Sequence, residues 1–331
     1  MRLMLHIISL QVAALLLMQS PVVHAEETEL TAQQLINRMS QAAHELNYDG
    51  IFIYRSGRQM DTLRLIHKSG EQGEFERLIS LTGNAREVIR DNESVTCIFP
   101  EDKAVMVERS RADKFLSAKL PEPIEQIAAY YEFIIAGQDR IAGRDAWVVS
   151  IMPRDSYRYG YQYWIDRENH LLLKSELKNN SGYTLEQIMF TQLSVLEDIP
   201  DELLKPTING SGYTWYNNSD TATSQSGENG SGSWQISWTP GGFSMSHHET
   251  RAQMAGSTNV EHIIYTDGLA MVSIFIEKQQ GEPTAQFIPG PSKMGAVNTF
   301  ARFANGYQVT AVGEVPPITV KNMANAIVAD H

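Results

Sequence analysis

The amino-acid sequence predicts a β-rich α+β protein, in which a large antiparallel sheet forms a partly closed barrel with helices and a smaller mixed α/β domain follows. Beyond residue 47 the apolar side chains recur with a period of two, which is typical of half-buried strands. Only a few polar or glycine residues separate these segments, and such short connections favour antiparallel neighbours. A polar, Gly/Ser-rich stretch then divides the strands into two groups, which indicates two domains.

The first 25 residues have the features of a removable secretion signal: a positive charge at Arg2, an apolar run, and small residues in Val23-His24-Ala25. We expect cleavage between Ala25 and Glu26. The apolar run is interrupted and is shorter than the roughly 20 residues that a membrane-spanning helix needs. No cysteine follows the cut to carry a lipid, so the sequence predicts an exported, soluble and unanchored chain that functions outside the cytoplasm.

In the first domain, predicted as residues 26–198, Thr31 is expected to cap a helix whose apolar positions follow a helical repeat (Leu35, Met39, Ala42 and Leu46). A second helix is predicted at Ile124–Ile135, after Pro121 and Pro123. The predicted strands before and after that helix are Gly50–Arg55, Asp61–His67, Glu74–Leu81, Arg86–Arg90, Ser94–Phe99, Lys103–Glu108, Asp145–Met152, Tyr157–Asp166, Leu171–Lys178 and Tyr183–Leu196.

Residues 199–233 are predicted to be a flexible linker, because their Ser, Asn and Gly residues cannot build a core; a long surface loop within one domain is the alternative. The second domain is predicted as residues 234–331. Its strands are expected at Trp234–Trp238, Phe243–His247, Glu261–Thr266, Leu269–Glu277, Ala296–Phe303 and Tyr307–Val312. A closing helix after Pro316-Pro317 is expected to have one apolar stripe, made of Val320, Met323, Ala324, Ile327 and Val328.

Charge and composition narrow the classes of function. The 331-residue chain has 27 basic and 39 acidic residues and a formal net charge of -12. This balance argues against nucleic acid as the main partner, because phosphate binding depends on clustered Lys and Arg. Cys97 is the only cysteine, so an intramolecular disulfide is excluded, and its strand-like surroundings favour a packed core residue over a redox sensor.

No catalytic or metal-binding motif stands out along the chain. His247-His248-Glu249 is the nearest approach to a metal cluster, but adjacent side chains on a strand point to opposite faces and are poor joint ligands. Asp166 and Glu168 have no predicted nucleophile beside them. We therefore expect a binding protein without catalytic residues, cofactor or metal; a lipid-modifying hydrolase is the enzyme alternative.

The aromatic, methionine and arginine residues of the first domain indicate what it binds. In a closed sandwich most of them would be core residues, whereas in an incompletely closed barrel they line a cavity suited to acyl chains. Arginines at strand ends would then meet lipid phosphates. The candidate lipid-binding residues are Phe52, Tyr54, Phe75, Arg77, Arg86, Met106, Arg109 and Tyr163.

Several segments together resemble the MucB/RseB family of periplasmic regulators of the extracytoplasmic stress sigma factor, over nearly the whole mature chain. In the first domain these segments are Tyr48-Asp-Gly-Ile-Phe-Ile-Tyr-Arg55 and Tyr161-Gln-Tyr-Trp-Ile-Asp166. In the second they are Trp238-Thr-Pro-Gly-Gly-Phe243, Tyr265-Thr-Asp-Gly-Leu-Ala-Met-Val-Ser-Ile-Phe-Ile276, Met294-Gly-Ala-Val-Asn298 and Tyr307-Gln-Val-Thr-Ala-Val-Gly-Glu-Val-Pro-Pro317.

The resemblance implies a large lipid-sensing domain similar to the lipoprotein carriers LolA and LolB, an unclosed antiparallel β-barrel with helices, and a small mixed α/β domain. It implies negative regulation of sigma-E signalling in the envelope stress response. The protein would bind the periplasmic part of a membrane anti-sigma factor, protect it from site-1 proteolysis, and release it on binding lipopolysaccharide or mislocalised lipid.

Residues 234–331 are accordingly expected to bind the anti-sigma factor, with anchors at Phe275, Phe300, Phe303 and Tyr307. A homodimer or higher oligomer is left open. The alternative function is a periplasmic carrier of lipids or lipoproteins.

Overall fold

The computed structural model describes residues 30–71, 73–92, 94–109, 124–208, 210–217, 234–251, 260–278 and 289–329. The predicted secretion signal and its cleavage site lie outside these residues. Thr31–His331 form one compact unit. Within the described part of the chain, no helix is both long and apolar enough to cross a membrane.

Helix α1 spans Ala32–Glu45 and begins at the predicted cap. The Thr31 hydroxyl accepts a hydrogen bond from the Gln34 amide, and the Gln34 side chain accepts one from the Thr31 amide. This reciprocal capping box satisfies backbone donors that have no partner within the helix. Leu35 is fully buried, as the repeat predicted, while Leu46 lies just past the last turn as the C-cap.

A twelve-stranded sheet dominates the N-terminal lobe, which we define as residues 30–217. Its strands are β1 Asn47–Ser56, β2 Gln59–Gly70, β3 Gly73–Ser80, β4 Glu87–Arg90, β5 Ser94–Phe99, β6 Ala104–Arg109, β7 Tyr131–Ile141, β8 Arg144–Pro153, β9 Gly160–Asp166, β10 Leu172–Lys178, β11 Thr184–Leu196 and β12 Thr214–Asn217. The order is β12-β6-β5-β4-β3-β2-β1-β11-β10-β9-β8-β7, and all neighbours are antiparallel except β12 and β6. Each strand predicted for this lobe is present.

The sheet does not close on itself, because β12 and β7 remain its two edges among the described strands. A bulge in β11, where Thr191 is the extra residue opposite Ile51 and Phe52 of β1, adds a local bend. At Gly50 the Phe190 ring lies 2.6 Å from where a Cβ would be, so only glycine permits this close packing of β1 and β11. The half-buried Cys97 packs against the apolar core of the sheet. The predicted fold class, an unclosed antiparallel sheet with few helices, is confirmed.

The second predicted helix, Ile124–Ile135, is wrong beyond its first turn. A 3₁₀ helix covers Ile124–Ile127, and β7 begins at Tyr131. Ala142 and Gly143 have positive φ angles of 50° and 80°, the geometry of a two-residue hairpin turn that pairs β7 with β8. Pairing with β8 therefore decides the conformation of an apolar segment whose own pattern is ambiguous.

Residues 199–217, predicted as the beginning of a flexible linker, instead pack against the sheet, and we call them the strap. Ile199 is fully buried, and its carbonyl accepts a hydrogen bond of 2.7 Å from Lys68 Nζ. The strap contains the short helix α2, Asp201–Leu204, and ends in β12, which adds to the sheet edge. Buried Ile199, the hydrogen bond from Lys68 and the pairing of β12 with β6 supply the contacts that a true linker lacks. The rest of the predicted linker, residues 218–233, lies outside the described residues.

The C-terminal lobe, which we define as residues 234–329, has a six-stranded antiparallel sheet covered on one face by a helix. Its elements are β13 Trp234–Ile236, β14 Ser244–Arg251, β15 Val260–Thr266, β16 Met271–Lys278, β17 Gly290–Met294, β18 Val297–Ala304, β19 Tyr307–Gly313, α3 Pro317–Ala326 and β20 Ile327–Ala329. The sheet order is β14-β15-β16-β19-β18-β17, and β13 pairs separately with β20. Val320 and Met323 of α3 belong to the same apolar core as Val272 and Ile274 of the sheet.

The closing helix is shorter than its predicted apolar stripe. It ends at Ala326, so Ile327 and Val328 belong to β20 instead. Ile327 pairs with Ile236 of β13 and is buried, whereas Val328 is exposed. The strand pairing with β13, distant in sequence, ends the helix early.

Candidate functional site

The N-terminal lobe contains a cavity of about 670 Å³. This volume is typical of small-molecule sites, which span roughly 300–1,000 Å³. Its apolar wall consists of Phe52, Tyr54, Leu63, Leu78, Phe99 and Ile188. Polar side chains from the β1–β2 hairpin, the loop after β3 and the β5–β6 turn also line it: Gln59, Asp61, Ser80, Thr82, Asn84, Arg86, Glu101 and Asp102. The site combines an apolar interior with a polar mouth.

Strand register explains why these side chains share one wall. Tyr54 pairs with Ile188 of β11 and with Asp61 of β2, and all three line the cavity. Directly paired residues of antiparallel strands point to the same face. Ser175 pairs with both Ile188 and Tyr163, so Tyr163 lies on the cavity face as well.

The predicted lipid-binding residues divide into four groups. Phe52, Tyr54 and Arg86 line the cavity. Met106 and Tyr163 lie on its face of the sheet without lining it. Phe75 and Arg77 alternate with the cavity-lining Leu78 and therefore point to the opposite face. The side chain of Arg109 lies outside the described residues.

Arg77 holds the strap instead of facing the cavity. It is buried and donates to Glu87 Oε2 at 2.9 and 3.2 Å and to the Leu203 carbonyl at 3.0 Å. It also donates to the Thr207 hydroxyl, while the Thr207 amide donates to Glu87 Oε2 at 3.0 Å. The ion pair is thus shared between the sheet and residues 199–217.

The two lobes meet at a buried arginine, Arg158, in the segment between β8 and β9. Its Nη1 donates to Asp267 Oδ2 at 2.6 Å, and its Nη2 donates to the Gly241 carbonyl at 2.6 Å. Asp155 supplies a second carboxylate at 3.1 Å. The guanidinium carbon lies 5.1, 5.4 and 5.2 Å from the ring centroids of Tyr130, Tyr131 and Phe243. Such enclosure by aromatic rings and carboxylates stabilises a cation that water does not reach.

Asp267 is the complementary group on the C-terminal lobe, in the turn between β15 and β16. Its Oδ2 also accepts a hydrogen bond of 2.9 Å from the Tyr131 hydroxyl, and its Oδ1 accepts from the Leu269 and Ala270 amides. Burial, followed by the charge of Asp267, raises the pKa of Tyr131, which keeps this phenol a hydrogen-bond donor. Both carboxylate oxygens are therefore satisfied inside the junction.

Glycines allow the C-terminal lobe to approach this cluster. Gly242 has φ of 84°, and a Cβ there would lie 2.3 Å from the Tyr130 ring. Beside it, the Trp238 ring packs edge-on against Tyr157 at 5.2 Å. The segment Trp238–Phe243, one of those that carried the family resemblance, thus wraps around the Arg158 cluster.

A second group of contacts joins the lobes nearby. Asn298 Nδ2 donates to the Tyr159 hydroxyl at 3.0 Å, and the Thr319 hydroxyl donates to the Tyr157 carbonyl at 2.7 Å. Ala296 is fully buried against Tyr159 and Leu177. The junction therefore extends from α3 to the β17–β18 turn.

The cavity and the junction are adjacent through Tyr54. Burial, followed by the negative charge of Glu186, raises the pKa of Tyr54 to about 12. Glu186 accepts a hydrogen bond of 2.9 Å from Ser56, and a Cβ on Gly295 of the C-terminal lobe would lie 2.5 Å from that Ser56 hydroxyl. A ligand that moves Tyr54 would therefore disturb the surface on which the C-terminal lobe rests.

The four predicted anti-sigma anchors lie on both faces of the C-terminal sheet. Phe300 and Tyr307 pack against the apolar core, and Tyr307 contacts Trp234 edge-on at 4.9 Å. Phe275 and Phe303 alternate with core residues and point to the opposite face, where Phe275 stacks on His262 at 4.4 Å. Phe275 and Phe303 therefore lie on the face of the sheet opposite α3.

The histidines of this lobe are paired with carboxylates. Glu249 contacts His247 and His262 at 3.3 and 3.4 Å, and Glu261 contacts His248 at 3.3 Å. In the described residues no group of three or more His, Cys, Asp or Glu side chains is arranged to hold a metal ion. Asp166 and Glu168 both bind Arg144.

Reasoning from sequence missed Arg158, Asp267 and Asn298, whose partners lie far away along the chain. A signal was present in the segments that carried the family resemblance. Asp267, Asn298 and Gly242 all belong to those segments, and each contacts the other lobe.

Family models match most of the chain. The model of the MucB/RseB N-terminal domain matches residues 31–208, and that of the MucB/RseB C-terminal domain matches residues 228–328. The "Sigma factor AlgU regulatory protein MucB" of Pseudomonas aeruginosa is 29% identical over 308 residues, 89% of this chain and 90% of the relative. The "Sigma-E factor regulatory protein RseB" of Haemophilus influenzae is 26% identical over 319 residues, 95% of this chain and 96% of the relative.

Solved structures of similar fold include complexes. The Pseudomonas aeruginosa MucA/MucB complex contains a chain that matches with a TM-score of 0.71 and 27% identity, covering 91% of this chain and 99% of that one. A crystal structure of MucB in complex with MucA(peri) matches equally well, with a TM-score of 0.71. Another crystal structure of MucB matches with a TM-score of 0.60 and 27% identity over 90% of this chain and 98% of that one.

Proposed function

The chain belongs to the MucB/RseB family, and from this we propose that it is a periplasmic negative regulator of sigma-E signalling. It binds the periplasmic part of a membrane anti-sigma factor, protects that segment from site-1 proteolysis, and releases it when lipopolysaccharide or a related mislocalised lipid binds. The observation that carries the proposal is the match, over 91% of this chain, to MucB in complex with MucA(peri).

In this proposal residues 26–198, with the strap, form the lipid-sensing domain, and residues 234–331 form the anti-sigma-binding domain. The apolar cavity supports the first assignment, since its volume and wall suit an acyl chain. Residues 1–25 would be removed during export, with cleavage between Ala25 and Glu26. No enzyme activity is part of the proposal.

Lipid release follows from the position of Tyr54 between the cavity and the junction. A lipid that binds one arrangement of the lobes more tightly shifts the population toward it, and a partner that prefers the other arrangement then binds more weakly.

The test is protection of the anti-sigma periplasmic segment from its site-1 protease, measured with the purified protein at increasing lipid concentration. We expect slow cleavage with protein alone and fast cleavage when lipid is added. The variant Leu63→Trp, which fills the cavity, should protect but no longer respond to lipid, whereas Ile134→Trp on the exposed face of β7 should respond normally. Equal cleavage rates with and without the protein would contradict the proposal.

Pairs of aromatic substitutions test the partner surface. We propose that Phe275 and Phe303 contact the anti-sigma segment, so Phe275→Ala and Phe303→Ala should weaken binding without unfolding the lobe. Phe300→Ala and Tyr307→Ala should instead lower its stability, because both side chains pack on the core. A lipid carrier, the alternative function, would bind lipidated cargo and show no affinity for the anti-sigma segment.

A further inference from the structure

The charges that line the cavity are unevenly divided. Asp61, Glu101 and Asp102 contribute three carboxylates, and Arg86 is the one basic side chain among the described lining residues. Asp61 is half-buried, and Glu101, Asp102 and Arg86 are exposed, so all four lie toward the mouth. The cavity is therefore negative where a lipid head group would lie.

These four charged groups have no ionic partner among the residues that the structure describes. Within the described ranges, none of them lies within 4.0 Å of a group of opposite charge. Asp61 is instead positioned by a hydrogen bond of 2.6 Å from Gln59 Nε2. Five other carboxylates of the same sheet show the contrast, since they are paired with bases: Asp49 with Arg64, Glu76 with Arg90, Glu87 with Arg77, Asp166 with Arg144 and Glu176 with Lys174.

Two further basic residues are next to lining residues in the sequence but do not themselves line the cavity. Arg58 precedes Gln59 in the β1–β2 turn, and Lys103 follows Asp102 in the β5–β6 turn, and both are exposed to solvent. A head group in the cavity lies closer to the side chains that line it than to these two bases, and the attraction between charges weakens with distance. The lining residues consequently set the local preference for ligand charge.

We propose that this cavity selects an acyl lipid whose head group carries an ammonium beside its phosphate, as phosphatidylethanolamine does. The inference rests on the lipid-binding part of the proposed function. Of the two lipid classes named there, it favours a mislocalised phospholipid over the anionic lipopolysaccharide. The acyl chain lies against Phe52, Leu63 and Leu78. The phosphate meets Arg86, and the ammonium lies among Asp61, Glu101 and Asp102, where opposite charges attract. A head group that is only anionic places its charge against the three carboxylates.

The experiment compares lysophosphatidylethanolamine with lysophosphatidylglycerol of the same acyl chain, both below their micelle concentrations. Binding to the chain from Glu26 onwards is followed by displacement of the uncharged dye N-phenyl-1-naphthylamine. We expect the ethanolamine lipid to bind about tenfold more tightly at low salt, equivalent to about 1.4 kcal/mol. The preference should shrink at 0.5 M salt, since the screening length falls to only a few ångströms near that concentration.

Variants that remove charges test which side chains cause the preference for the ethanolamine lipid. Asp61→Asn and the double variant Glu101→Gln/Asp102→Asn should each weaken the ethanolamine lipid and strengthen the glycerol lipid. The double variant lies in an exposed turn, so its folding is not at issue. Glu132→Gln, an exposed carboxylate on β7, makes the same charge change away from the cavity and should alter neither affinity. Arg86→Gln should weaken both lipids, because both carry a phosphate.

The outcomes separate this inference from the proposed function. If both lipids bind equally, or if the glycerol lipid binds more tightly, the head-group inference is overturned while lipid sensing stands. If neither lipid displaces the dye, both the head-group inference and the lipid-sensing part of the proposed function are overturned. A preference for ethanolamine that persists in the Asp61 and Glu101/Asp102 variants would also overturn the assignment of these residues.

Discussion

The substitution Asp267→Asn tests whether the buried ion pair joins the two lobes. Asparagine has nearly the same shape as aspartate, so the change removes the charge and reverses one hydrogen-bonding group with little effect on packing. The amide oxygen can still accept from the Leu269 and Ala270 backbone, as Oδ1 does now. The new amide nitrogen would face two donors, Arg158 Nη1 and the Tyr131 hydroxyl, which now lie 2.6 and 2.9 Å from Oδ2.

The expected loss follows from burial. Arg158 and Asp267 both have a side-chain exposure of 0%, and removing one partner of such a pair costs about 3–5 kcal/mol. Arg158 keeps Asp155 at 3.1 Å, whose side chain is 30% exposed, and this remaining pair reduces the loss. We therefore expect the free energy of unfolding to fall by about 3 kcal/mol, a large part of the 5–15 kcal/mol typical of a native protein.

Equilibrium denaturation followed by tryptophan fluorescence measures this loss. Trp234 and Trp238 report on the C-terminal lobe, and Trp164 on the core of the N-terminal sheet. Because the substitution weakens the junction and not either sheet, we expect the single transition of the parent chain to separate into two. Asp145→Asn on β8 is the matched control, since Asp145 is exposed and the same atoms change.

A double-mutant cycle with Arg158→Met isolates the pair itself. The doubly substituted chain has no unpaired buried charge at these two positions, so it should be more stable than the sum of the single losses predicts, by about 2 kcal/mol. Additive losses, or an Asp267→Asn chain that unfolds like the Asp145→Asn control, would refute the reasoning that this pair holds the lobes together.

Three other outcomes are expected. Gly242→Ala should lower the free energy of unfolding by about 1–3 kcal/mol, since a Cβ at positive φ is strained and lies 2.3 Å from Tyr130. In a Tyr130→Ala background only about 1 kcal/mol of this loss should remain. Equal losses in both backgrounds would argue against the steric contact. Arg77→Met should lower the free energy of unfolding by about 3–5 kcal/mol, because it leaves the Glu87 carboxylate buried without its arginine. It should also speed hydrogen exchange across α2 by freeing the strap, and leave lipid affinity unchanged. Lost lipid binding in a folded chain would contradict the placement of Arg77 on the face opposite the cavity. Each added pair of methylenes in a lysolipid should tighten binding by about 15-fold until the cavity is full, at about 0.8 kcal/mol per methylene, and a flat series would exclude an apolar acyl site.

Much of the N-terminal sheet could be predicted from sequence because its strands have local signatures. The β5 segment, Ser94–Phe99, is a short run rich in strand-favouring residues and bounded by turns, and the structure has the same bounds. Thr31 and Gln34 form a cap within one turn of helix, which four residues suffice to encode. In contrast, Ile124–Ile135 lacks a clear period, so its conformation depended on β8 and could not be predicted locally.

The sequence predicted an apolar cavity in the first domain but identified only some of the residues that line it. Phe52, Tyr54 and Arg86 line it, whereas Arg77 has the same residue type as Arg86 and lies on the opposite face in an ion pair with Glu87. The alternation of side chains along β3 shows that Arg77 and Leu78 point to opposite faces of the sheet, but the sequence does not show which face bounds the cavity. That depends on how the sheet curves and on where the strap packs.

The sequence by itself determined the strand and helix periods, the capping of α1, the excess of acidic residues, and the segments that identify the family. Only the tertiary structure decided how the two lobes are joined, which charges are paired, and which charges at the cavity mouth have no ionic partner among the described residues. Arg158 and Asp267 are 109 positions apart, and their contact depends on two independently formed sheets meeting at one end. Local patterns are set by neighbouring residues, whereas the burial and pairing of a charge depend on what the folded chain brings to it.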